Sequence, residues 1–76
     1  MSRHQLDARR LLCPMPVIRT QDRIAELVRG DILEVHATDP GALNDIGAWC
    51  RINGHRVLEA RDDAGEILMV LEVGGD

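Results

Sequence analysis

The sequence predicts a two-layer α+β sandwich, with two helices packed on one face of a four-stranded mixed sheet, in the order β-α-β-α-β-β. Three observations lead to this prediction. Residues 32–37 alternate apolar and polar side chains, as a half-buried strand does. Two segments with helical apolar spacing each begin beside a proline. A turn signature, Asp62-Asp63-Ala64-Gly65, separates two further strand-like segments near the end of the chain.

Size and composition indicate one small domain over residues 1–76, with a core from about residue 5 to residue 73 and flexible ends at 1–4 and 74–76. No apolar run is long enough to span a membrane, and the two cysteines make no disulfide framework. We therefore expect a reduced, cytoplasmic protein and a monomer. The net charge of -4, with no Phe or Tyr, argues against direct stable nucleic-acid binding.

The first strand is expected over residues 5–12, with Leu6 and Ala8 on one face. The first helix is predicted over residues 14–29, with Gly30 as its stop signal. Opposite charges three residues apart on its polar side are typical of a solvated helix face. Arg19 stands on that side about a turn and a half beyond Cys13, so it is a candidate partner-binding residue.

The start of this helix carries the first candidate site, Cys13-Pro14-Met15-Pro16. We place Cys13 at the N-cap, because proline is well tolerated within a first helical turn. The sulfur would then lie at the positive end of the helix dipole, with the Met15 N–H pointing at it. This setting predicts a thiol pKa below the ordinary value of about 8.5. Cys13 is thus the candidate reactive residue, and Pro14, Met15 and Pro16 shape its site.

The second half of the chain repeats the strand-to-helix pattern. Residues 32–37 should point Leu33, Val35 and Ala37 inward. The next helix is predicted to have Asp39 as N-cap and Pro40 at its first position, and to end at Asn53-Gly54. Its apolar stripe includes Cys50, which we expect in the core. The last two strands, residues 55–61 and 66–73, should form the hairpin.

Both helices are predicted to begin at the C-terminal ends of their strands, so Cys13 and Asp39-Pro40 should share one edge of the sheet. Ligand and partner sites of such folds favour that edge. The histidines give no oriented base there: His4 and His55 are expected at the opposite edge, and His36 on the outer face. The residues therefore suit a group carrier better than a self-sufficient enzyme.

Several segments together resemble the TusA (SirA-like) sulfur-carrier family. They are Leu6-Asp7-Ala8 with Leu11, then Cys13-Pro14-Met15-Pro16-Val17-Ile18, then Thr38-Asp39-Pro40-Gly41-Ala42, Asp45-Ile46 and Trp49-Cys50. The resemblance covers about residues 5–73 and implies the same two-layer sandwich. The chain departs from the family pattern at Arg10, where glycine is usual, and at Arg19, where lysine is common.

The resemblance implies that Cys13 accepts sulfane sulfur as a persulfide and needs partner proteins to do so. The donor would be a cysteine desulfurase or a rhodanese. The acceptor thiol would serve tRNA wobble-uridine 2-thiolation, sulfur oxidation or molybdenum-cofactor synthesis. Apart from the transient persulfide, no cofactor and no metal are expected.

Three alternatives stay open. Cys13 could be a packing residue in a non-catalytic regulatory or interaction module. It could cycle through a sulfenic acid or disulfide in a redox module, or bind a metal together with a histidine.

Overall fold

The computed structural model describes residues 2–74 and confirms the predicted order of elements. The elements are β1 (Arg3–Ala8), α1 (Met15–Ile24), β2 (Ile32–Ala37), α2 (Ala42–Asn53), β3 (Arg56–Asp63) and β4 (Glu66–Glu72). The strand order in the sheet is β1-β2-β4-β3. β1 and β2 run parallel, whereas β4 is antiparallel to both of its neighbours, so the sheet is mixed. Across residues 2–74, neither helix is long and apolar enough to cross a membrane.

The register of the strands places both helix starts at one edge of the sheet. Ala8, the last residue of β1, pairs with Ala37, the last residue of β2, and Ala37 pairs with Ile67 near the start of β4. Each of the two parallel strands is followed by a short loop and then by its helix. The loops that precede α1 and α2 therefore leave the sheet side by side.

The core lies between the sheet and the two helices. In β2, Leu33, Val35 and Ala37 are buried and the polar side chains between them are partly exposed, as the alternation predicts. From α2, Ala42, Ile46 and Cys50 enter the same cluster at four-residue intervals. Cys50 is fully buried, and this burial raises the pKa of its thiol to about 11. Cys50 is therefore a core residue, as expected, and stays a neutral thiol.

The start of the chain is more ordered than predicted. Residues 1–4 were expected to be flexible, yet β1 begins at Arg3 and the Ile32 N–H donates to the Ser2 carbonyl at 2.8 Å. The Asp31 carboxylate also accepts the Ser2 N–H at 3.1 Å. The parallel ladder to β2 supplies these backbone groups with partners, which a strand pattern read from the sequence alone does not reveal. Met1, Gly75 and Asp76 lie outside the described residues.

Both helices begin later than predicted. α1 covers Met15–Ile24 instead of residues 14–29. Beyond Ile24 the chain continues in tight turns, in which Glu26 and Leu27 bond to carbonyls three residues back, until Gly30 at φ 93°. α2 begins at Ala42, with Gly41 instead of Asp39 at its N-cap, and ends as predicted at Gly54 in the left-handed conformation.

The hairpin forms as predicted, but its strands reach further toward the turn. Asp62 and Asp63 pair with β4, so the turn contains only Ala64 and Gly65. Both turn residues have positive φ angles, 55° and 89°, which suit the twist of a two-residue hairpin. The Gly65 N–H donates to Asp62 Oδ1 at 3.0 Å and closes the turn.

His55, the residue just before β3, stabilises the fold in its neutral form. The ring of His55 stacks on Trp49 at 5.1 Å, and its Nδ1 accepts the Gly74 N–H at 3.1 Å. Burial lowers the pKa of His55 from 6.5. The unfolded chain therefore binds a proton on His55 more readily than the folded chain does. The contribution of His55 to the stability of the fold is complete above pH 6.5 and is lost as the pH falls through the lower pKa of the folded state.

We therefore expect the melting temperature to fall between about pH 7.5 and about pH 5.5, and to fall less in His55→Asn. Asparagine offers Oδ1 as an acceptor in place of Nδ1 but does not titrate. Thermal melts of both proteins at the two pH values measure the difference. Equal losses in the two proteins would contradict this role of His55.

Candidate functional site

Cys13 lies in the loop between β1 and α1 and exposes its thiol to solvent. The prediction of an N-cap position is wrong: Pro14 is the N-cap, Met15 is the first helical residue and Pro16 is the second. The Met15 N–H does not point at the sulfur, because it donates to the Leu12 carbonyl at 2.8 Å. The Cys13–Pro14 peptide bond is cis. Because Pro14 is the N-cap, Cys13 stands just outside the helix, and the hydrogen bond from Met15 to Leu12 makes it a central residue of a tight turn.

The loop before Cys13 is tied to the end of β2. The Arg10 N–H donates to Thr38 Oγ1 at 2.9 Å, which links the two parallel strands just beyond their last paired residues. Arg10 itself has a φ of 70°, in the left-handed region that favours glycine. This backbone conformation explains why glycine suits the position, and arginine adopts the same conformation here.

A carboxylate that the sequence analysis missed contacts the thiol. Cys13 Sγ donates to Asp45 Oδ2 at 3.5 Å, and Asp45 belongs to the first turn of α2, 32 residues away along the chain. This hydrogen bond is the main reason that the pKa of Cys13 is raised from its ordinary value, followed by partial loss of hydration and by the charges of Asp45 and Asp39. The predicted lowering of the pKa is therefore wrong, because an anion in contact with the thiol disfavours the thiolate.

A second carboxylate stands close to the first. Asp39 Oδ2 accepts the Gly41 N–H at 3.2 Å, so Asp39 caps the turn before α2 and not the helix itself. A Cβ atom at Gly41 would lie 3.3 Å from Asp39 Oδ2 and 3.4 Å from Asp45 Oδ2. The two carboxylates thus approach one point beside the helix start, and the surface next to the thiol is acidic.

Several large apolar side chains close to Cys13 in the chain are exposed. Leu12, Met15 and Ile18 are 72%, 36% and 39% exposed, although they are large and apolar. By contrast, Pro16 is fully buried, and its carbonyl accepts a hydrogen bond from Thr20 Oγ1 at 2.8 Å. Pro16 therefore anchors the start of α1 on the core, while apolar residues on either side of it in the chain stay exposed.

The other candidate residues remain predictions as partner contacts. Arg19 and Pro40 are exposed and Asp39 is half-buried, so all three are accessible. His4 and His55 lie at the opposite edge of the sheet from Cys13, as expected, because β1 and β3 run in the same direction as β2. Within residues 2–74, no group of three or more His, Cys, Asp or Glu side chains is placed to hold a metal ion.

Comparisons with known proteins agree with one another. A family model described as "Sulfurtransferase TusA" matches residues 4–73. YrkI of Bacillus subtilis, named as a candidate sulfur carrier, is 56% identical over 63 residues, which are 83% of each chain. The sulfur carrier protein TusA of Pseudomonas putida is 41% identical over 63 residues, 83% of this chain and 79% of its own. A crystal structure of a SirA-like protein from Desulfitobacterium hafniense has the same fold, with a TM-score of 0.77, 24% identity and coverage of 96% and 99% of the two chains.

Proposed function

The chain belongs to the TusA sulfurtransferase family, and from this premise we propose that it is a small cytoplasmic sulfur carrier with Cys13 as its carrier residue. The observation that supports the assignment best is the exposed Cys13 thiol at the shared edge of the sheet, with exposed apolar side chains close to it in the chain. The only other cysteine, Cys50, is fully buried and would need the fold to open before it could react.

The proposed reaction moves one sulfur atom without net oxidation. The Cys13 sulfur attacks the terminal sulfur of a cysteine persulfide on the donor protein. The S–S bond of the donor breaks, a new S–S bond forms on Cys13, and the donor cysteine leaves as a thiol that takes up the proton lost by Cys13. In the second step an acceptor thiol attacks the terminal sulfur on Cys13 in the same way. No oxidant, metal or resident cofactor takes part in these steps.

The surroundings of Cys13 are better suited to docking a partner protein than to binding a small substrate. Leu12, Met15 and Ile18 offer apolar area that a docked partner would bury, and such area is a common feature of interaction sites. Arg19, Asp39 and Pro40 would contact the partner at the rim. We propose a cysteine desulfurase or a rhodanese as donor. The acceptor would serve tRNA wobble-uridine 2-thiolation, sulfur oxidation or molybdenum-cofactor synthesis.

Intact-mass analysis tests this function. The protein is incubated with a cysteine desulfurase, its cofactor and L-cysteine, and in parallel with a rhodanese and thiosulfate. We expect a gain of one sulfur mass with at least one donor, and its loss on treatment with a thiol reductant. The absence of any gain with both donors would contradict the carrier function and favour an interaction module.

The burial of Cys50 argues against the redox alternative. A disulfide mechanism within the chain would need Cys50 as the resolving cysteine, but Cys50 is fully buried and its raised pKa keeps it protonated. The same mass spectra separate the two functions, because a disulfide within the chain lowers the mass by two hydrogens whereas a persulfide raises it by one sulfur.

A further inference from the structure

Resting on the proposed carrier function, we infer that Asp45 is a positioning residue that holds the thiol proton of Cys13 in the empty carrier. The unloaded sulfur then stays a neutral thiol in solution, and a docked donor protein must release the proton before sulfur is transferred. This role deepens the proposed function, because it concerns when the carrier cysteine becomes a nucleophile.

The geometry around Asp45 carries the inference. Its Oδ2 lies 3.5 Å from Cys13 Sγ, within reach of a hydrogen bond from a thiol. Its backbone is fixed by the first turn of α2, where the Asp45 N–H donates to the Gly41 carbonyl at 3.0 Å. The next residue, Ile46, is fully buried in the core. The carboxylate is thus presented from a rigid element to a sulfur that lies on a loop.

The negative charges near Cys13 also favour the neutral thiol over the thiolate. Asp45 on α2 and Asp39 in the turn before it are both acidic, and both raise the pKa of the thiol. On the side of the loop and α1, the residues that flank Cys13 in the chain are the uncharged Leu12, Pro14 and Met15, and the charged residues earlier in the loop are the cationic Arg9 and Arg10. The first turn of α1 contains no acidic residue, so the anionic charge at the thiol comes from the α2 side.

A protonated thiol has a clear chemical consequence. The thiolate is the nucleophile, so a cysteine held as a thiol reacts slowly with small electrophiles and oxidants. An exposed cysteine that must wait for a protein donor benefits from this protection. A donor that neutralises or displaces Asp45 on docking would free the sulfur at the moment of transfer.

The rate of alkylation of Cys13 by iodoacetamide as a function of pH tests the inference. This reagent is uncharged, so the acidic surface does not repel it. In Asp45→Asn, which keeps the size of the side chain and removes its charge, we expect the alkylation curve to shift to lower pH. The alkylation rate at about pH 7.5 should rise about threefold or more, because the rate follows the fraction of thiolate, and the ratio of thiolate to thiol rises tenfold for each unit by which the pKa falls.

Two further variants serve as controls. Asp45→Glu restores the carboxylate and should move the curve back toward wild type. Asp22→Asn makes the same charge change on the exposed face of α1 and should leave the curve unchanged. Melting temperatures of all variants verify that they are folded. An alkylation curve of Asp45→Asn that coincides with wild type, or an equal shift in Asp22→Asn, would overturn the inference.

The mass assay separates this inference from the proposed function. If wild type accepts sulfur and the alkylation curves of wild type and Asp45→Asn coincide, Cys13 is a carrier whose proton Asp45 does not control, and the inference fails alone. If the curves differ but wild type accepts no sulfur from either donor, the thiol is governed by Asp45 but the carrier function fails.

Discussion

Replacement of Cys13 by serine is expected to abolish sulfur loading completely and to change the free energy of unfolding by no more than about 0.5 kcal/mol. A serine hydroxyl cannot form the persulfide, so the gain of sulfur mass should disappear with every donor. Stability should hold because the side chain is exposed and its hydrogen bond is to Asp45 Oδ2, which a hydroxyl can also donate to. Intact-mass analysis and urea denaturation of the same preparation measure both effects.

The matched control removes the other sulfur. Cys50→Ala should still accept sulfur, because Cys50 is buried on the core face of α2, but it should lose about 1 kcal/mol or more of stability from the core. Loading that survives in Cys13→Ser and vanishes in a folded Cys50→Ala would assign the carrier role to Cys50. A large loss of stability in Cys13→Ser would show instead that Cys13 is a packing residue.

Truncation of Ile46 is expected to have the largest effect on stability. Ile46 is fully buried in the core cluster, and Ile46→Ala should cost about 2–5 kcal/mol through lost burial and the cavity left behind. For a domain of this size, whose total stability is on the order of 5–10 kcal/mol, that loss leaves a marginal fold. Urea denaturation at constant pH measures the change as a lower midpoint.

The same helix provides the control for this variant. Ile52 is 82% exposed, so Ile52→Ala makes the same chemical change and should shift stability by no more than about 0.5 kcal/mol. Equal losses in the two variants would contradict the burial of Ile46. Because Ile46 follows Asp45, we also expect Ile46→Ala to loosen the hold of α2 on the thiol and to speed alkylation of Cys13.

Much of the fold follows from local patterns. The alternation in residues 32–37, the stripe through Ala42, Ile46 and Cys50, and the glycine at position 54 are each decided by near neighbours in the chain. Such patterns reveal which face of an element is buried but give its ends poorly. The ends of β1, α1 and α2 depend on hydrogen bonds to other parts of the chain, such as that from Ile32 to Ser2.

The candidate site was predicted only in part. The sequence indicated Cys13 and the edge that it shares with Asp39-Pro40, because both follow parallel strands. It predicted the wrong direction for the pKa shift of Cys13, because the helix dipole and the Met15 N–H were the only influences on the thiol that the motif itself indicated. It also offered no sign that Pro16 is buried while Leu12 and Ile18 are exposed, because that distinction depends on how α1 lies on the sheet.

By itself, the sequence determined the class of fold, the order of its elements and the family, and it indicated the cysteine that we propose as the carrier residue. Only the tertiary structure decided which charged group contacts that cysteine. Asp45 and Cys13 are 32 residues apart, and they meet because β1 and β2 pair in parallel and send both following loops to one edge. A carboxylate acts on a thiol over a few ångströms of space, so its effect depends on the distance through the fold and not along the chain.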